Sequence, residues 1–87
     1  MRFLKAEVDT RPGDAVEVVL EGDEANVMLL DRTNFSSYQN GHQFRYHGGY
    51  CPASPVVLRP PYAGHWYIVI DLGGYAGRVG AEVRVIR

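Results

Sequence analysis

Apolar and polar residues alternate along most of this chain, and the alternation marks its elements. Leu4, Ala6 and Val8 interleave with Phe3, Lys5 and Glu7, which predicts a first strand that stops at Asp9-Thr10-Arg11-Pro12-Gly13-Asp14. In that turn Pro12 presets φ and Gly13 supplies a positive one. Val16, Val18 and Leu20 then oppose Glu17, Val19 and Glu21, a second strand ended by Gly22-Asp23-Glu24. In the stretch 25–30, Val27 and Leu29 alternate with Asn26, Met28 and Leu30, so both faces are largely apolar and the strand is expected in the interior of a sheet. The strongest pattern lies at 66–72, with Trp66, Ile68, Ile70 and Leu72 on one face and His65, Tyr67, Val69 and Asp71 on the other. Val79, Ala81, Val83 and Val85, alternating with Gly80, Glu82 and Arg84, predict a last strand that is wet on one side.

Between these patterned stretches, residues 31–55 turn polar and aromatic. A single helical turn over 34–38 is expected there, capped by Thr33 or Asn34, followed by a short strand at 44–47 that Gly48-Gly49 breaks. Val56-Val57-Leu58-Arg59 sits between Pro55 and Pro60-Pro61 and can only be a short edge strand. No stretch shows helical periodicity over three turns. Six to eight short strands with regular turn signals predict an all-β chain, an antiparallel sandwich or small barrel of jelly-roll type. Eighty-seven residues make one domain spanning 1–87. A chain this short buries only about 60% of its unfolded surface, so a homodimer or a covalent neighbour domain would help it.

Charge narrows the partners. Nine Lys and Arg against ten Asp and Glu leave a net charge of -1, without the basic excess that nucleic-acid backbones require. The longest apolar run, 66–70, is far short of the ~20 residues of a membrane helix, and charges at Arg2, Lys5 and Glu7 interrupt any signal-peptide core. One cysteine, Cys51, cannot form an internal disulfide, which fits a cytoplasmic protein.

Several groups of residues resemble a known family. They are Asn26-Val27 with Leu30-Asp31, Asn34-Phe35-Ser36 with Tyr38, Asn40-Gly41, Tyr46 with Gly48-Gly49, Ser54-Pro55-Val56, Ala63-Gly64-His65-Trp66, and above all Asp71-Leu72-Gly73-Gly74-Tyr75-Ala76-Gly77-Arg78-Val79. Together they are similar to the small bacterial family called Domain of Unknown Function 1883. The resemblance covers nearly the whole chain and implies a compact, mostly β domain, found alone or N-terminal to a Toll/interleukin-receptor-type domain. It brings no activity, cofactor or catalytic residue. The stretch 64–71 is also similar to the late strand of jelly-roll accessory domains in secreted hydrolases, a likeness that bears on fold alone.

Candidate chemistry is sparse. His42, His47, His65 and Cys51 can be drawn as a metal or thiol site, an alternative in which the chain is a small metal-dependent or thiol enzyme. Their spacing lacks the close pairs of structural zinc sites, no base or helix N-terminus stands by to activate Cys51, and no cofactor is implied. No Gly-x-Ser-x-Gly elbow or marked carboxylate pair is present, which argues against an enzyme. The loop Gly73-Gly74-Tyr75-Ala76-Gly77 leads into a strand and not a helix, unlike phosphate loops. The leading expectation is therefore a non-enzymatic recognition or accessory module for a protein or small ligand. Its surface is drawn from Asn34, Tyr38, Asn40, His42, Arg45, Tyr46, His47 and Tyr50, with Tyr75 from the glycine loop. A self-associating structural domain is a third reading.

Overall fold

The two most apolar stretches of the sequence become the middle of a sheet. The computed structural model describes residues 3–22, 25–51, 54–71 and 79–87. Within them run β1 (Phe3–Thr10), β2 (Ala15–Gly22), β3 (Ala25–Leu30), α1 (Arg32–Gln39), β4 (His47–Cys51), β5 (Val56–Leu58), β6 (Gly64–Asp71) and β7 (Val79–Ile86). They form two antiparallel sheets, one in the order β1-β6-β3-β4 and the other β5-β2-β7. The arrangement is the all-β sandwich that the alternation predicts.

Register explains which side chains meet. β1 pairs with β6 from Phe3↔Asp71 to Thr10↔Gly64, and β3 pairs with β6 so that Leu29 faces Ile68 and Val27 faces Ile70. Because side chains alternate, this sends Val27, Leu29, Trp66, Ile68 and Ile70 to one face, where they meet Val16, Val18 and Leu58 of the smaller sheet. Val16, Val18, Val27, Leu29 and Ile68 have no exposed surface, and each fully buried aliphatic side chain contributes about 1.5–3 kcal/mol of transfer free energy. The turn between β1 and β2 follows the sequence: Gly13 has φ 84°, and the Asp14 carboxylate accepts from the Arg11 amide at 2.8 Å.

The opposite face of the larger sheet carries a second apolar cluster of Met28, Leu30, Tyr67 and Val69, covered by Phe35 and Tyr38 of α1. This is why β3 and β6 read as apolar on both sides. Phe35 stacks on Tyr67 with centroids 4.4 Å apart, and Tyr38 meets Phe3 and Phe44 edge-on at 5.3 and 5.1 Å. The helix begins earlier than its sequence suggests, at Arg32, and its cap is Asp31 rather than Thr33 or Asn34, because the Asp31 carboxylate takes the Asn34 amide at 2.8 Å.

The expected strand at 44–47 is also displaced. β4 starts at His47 and continues through Gly48 and Gly49, the residues read as its breakers, which adopt φ of 110° and 144° and still pair with Met28 and Val27. At Gly48 a Cβ would collide with the Val27 carbonyl oxygen, so only glycine lets the edge come this close.

Candidate functional site

Where β3 leaves the sheet, Asp31 opens the helix and gathers three groups on one carboxylate. Its Oδ1 accepts from the Asn34 amide and from Asn34 Nδ2 at 3.0 Å, and its Oδ2 accepts from the Tyr62 hydroxyl at 3.2 Å. The Asn34 amide first, then the Asn34 side chain and Tyr62, hold this carboxyl below the usual range against the opposing effect of burial. Asn34 in turn accepts the Arg45 amide on its Oδ1 at 2.7 Å, which ties the segment before β4 to the helix N-terminus. Tyr62 is fixed from its other end: its carbonyl accepts from the Trp66 indole at 3.1 Å, and the two rings lie 4.8 Å apart. His47 meets Trp66 edge-on at 6.1 Å.

These links frame an open groove of about 550 Å³, walled by Asp31, Asn34, Arg45, Tyr46, His47 and Tyr62 and floored by Leu29, Phe44 and Trp66. The size is that of ordinary ligand clefts. Tyr46 and Tyr62 are 47% and 55% exposed, so each presents part of its ring to the groove while packing against Phe44 and Trp66 respectively. Arg45 and His47 are exposed, and neither side chain has an ion pair or hydrogen bond among the described residues.

Of the residues expected at a recognition surface, Asn34, Arg45, Tyr46 and His47 come together here. Asp31, Tyr62 and Trp66 join them without having been singled out. Asp is a favoured helix cap, a signal by which Asp31 could have been found, but Tyr62 is brought in by tertiary folding across 31 residues. Three candidates lie elsewhere. Tyr38 is corrected from surface to core: it is 5% exposed, and its hydroxyl donates to Asp71 at 2.9 Å. Burial, then Asp71, push its phenol well above its ordinary pKa. Asn40 closes the helix, donating from Nδ2 to the Ser36 carbonyl at 2.8 Å, and His42 is exposed outside the groove lining. The side chain of Tyr50, Tyr75 and the glycine loop 73–77 lie outside the described residues.

A family model matches this chain over residues 1–87, that of Domain of unknown function (DUF1883). The chain belongs to that family. The match spans the β-sandwich and the groove alike, in agreement with the resemblance carried by the glycine loop and the tryptophan strand. No curated protein and no solved structure matches the chain. Among its described residues, no helix is long and apolar enough to cross a membrane.

The histidines of this DUF1883 chain are placed apart. His47 sits opposite Leu29 of β3, whereas His65 sits opposite Asp9 of β1, and among the described residues no three His, Cys, Asp or Glu side chains converge as a metal requires. The side chain of Cys51 lies outside the described residues. His65 is instead held through both ring nitrogens, Nδ1 to Asp9 at 2.8 Å and Nε2 to Glu7 at 2.9 Å. Two carboxylates on one ring are satisfied together only by the imidazolium, which donates twice and has no lone pair left for a metal. Asp9 and then Glu7 accordingly raise the His65 pKa, and His65 is the main reason that Glu7 is lowered.

Proposed function

We propose that this DUF1883 chain is a non-enzymatic recognition module, and that the groove between the α1 N-terminus and β4 is where it holds a ligand or a segment of a protein partner. The observation that carries the reading is how the polar groups of the groove wall are engaged. Asp31 is held by Asn34 and Tyr62, while among the described residues the side chains of Arg45 and His47 make no hydrogen bond or ion pair beside the exposed rings of Tyr46 and Tyr62. A ligand that fits has an anionic group for Arg45 and His47 and a flat or apolar part for the tyrosines.

Trp66, the single tryptophan, reports on this groove from its floor. Titration with short acidic peptides containing an aromatic residue should change its emission saturably, and the double variant Arg45→Ala, Tyr46→Ala should weaken that binding at least tenfold with an unchanged thermal melt. Equal binding by the double variant would rule out the groove as the binding site.

A further inference from the structure

The far edge of the smaller sheet plays no part in the groove. β7 pairs with β2 along its whole length, from Ala15↔Ile86 to Gly22↔Val79; β1 of the larger sheet lies near it through the shared core, but among the described residues no strand hydrogen-bonds to its other side. An unpaired strand edge is a template for another strand, and folded proteins usually guard it with proline, a bulge, brevity or an inward charge. β7 is eight residues long, contains no proline, keeps an unbroken register and has no residue with positive φ; the charges it carries, Glu82 and Arg84, are of opposite sign and both lie on the outer face. Its inward residues Val79, Ala81 and Val83 are only half-buried against the core, whereas Val16 and Val18 on β2 are fully covered. The other edges differ. β4 carries two glycines of positive φ, Gly48 and Gly49, β5 has three residues, and on β1 Glu7 and Asp9 are turned toward His65.

We propose that β7 pairs antiparallel with β7 of a second copy of this chain, centred on Val83, joining two three-stranded sheets into one of six. In that register Ala81 lies opposite Val85 on the inner face, and on the outer face Glu82 of each copy lies opposite Arg84 of the other. The neighbouring registers that keep the faces matched are centred on residue 82 or 84 and place Glu82 against Glu82 or Arg84 against Arg84, so charge selects the Val83 centre. Arg84 already gives its Nε to Glu17 at 2.7 Å, and the remaining guanidinium donors are free to take Glu82 of the second copy. The two-fold axis makes every pair twice and closes the assembly at a dimer.

Charge reversal tests this directly in sedimentation equilibrium at micromolar concentration. The wild-type chain should be dimeric. Glu82→Arg and Arg84→Glu should each weaken association about tenfold or more, because each sets two like-charge pairs across the axis. An equimolar mixture of the two variants should regain the dimer, since each chain then meets opposite charges on the other. A monomeric wild type, a dimer indifferent to both reversals, or a mixture that stays monomeric would each overturn the proposal. Amide exchange provides a second reading without substitution: protection along 79–86 should fall on dilution, and exchange there that ignores concentration contradicts the pairing.

Discussion

At the scale of single residues, Asp31 and His65 show how the same charge chemistry serves two ends. Asp31 is at once the helix cap and the anchor of Tyr62, so its loss acts on stability and on groove shape together. Asp31→Ala should cost about 1 kcal/mol of unfolding free energy in a urea titration. Asp31→Asn keeps an acceptor for the Asn34 amide and should cost less than half as much; equal losses would show that the cap is not what Asp31 supplies. His65 governs a pH response instead. Its pKa is raised in the fold above the ordinary 6.5, so its contribution is complete below that value and disappears as pH rises through the folded pKa. Glu7 has the opposite sign: lowered from 4.5, it contributes above that value and is lost as pH falls through its folded pKa. The thermal midpoint should therefore decline above about pH 6.5 in the wild type and stay flat there in His65→Gln, with the difference shrinking in high salt because these groups are exposed. An identical decline in both proteins would assign the alkaline loss to another group.

At the scale of elements, β4 carries the clearest consequence of backbone freedom. Gly48→Ala drives a Cβ into the Val27 carbonyl at a φ of 110°, and should destabilise the chain by about 2 kcal/mol or more. Gly49→Ala, with a φ of 144° and open space around it, should be milder. Comparing their melting temperatures separates collision from strain; equal shifts would show that β4 can retreat from β3. The same strand shows where sequence reading stops. β2, β6 and β7 were legible because one apolar residue in two points to a shared core, and β3 because both its faces do. Gly48 and Gly49 signal a break in isolation, and only the demand of β3 for a partner makes them a strand. The helix was hard to see for another reason: with eight residues and only Phe35 and Tyr38 buried, it has too few turns to show a period.

At the scale of the molecule, a sandwich of two sheets and a helix laid on the outside of one of them create a corner that neither layer has alone. The groove forms there, between the α1 cap, the segment entering β4 and the tyrosine that precedes β6. Composition pointed to four residues that line this groove, because Asn34, Arg45, Tyr46 and His47 fall within one polar aromatic segment. It misplaced Tyr38 because an amphipathic ring reads the same on a surface as over a buried carboxylate, and it missed Tyr62 because that contact is set by the return of the chain through β6. Under the proposed function, this corner recognises an anionic, partly apolar ligand. The most direct test is a residue-resolved amide titration with acidic aromatic peptides and their basic counterparts. Saturable shifts gathered at 29–34, 44–47 and 62–66 with the acidic peptides alone are the expected result; no saturable shift, or shifts centred on the outer face of β2 and β7, would contradict it.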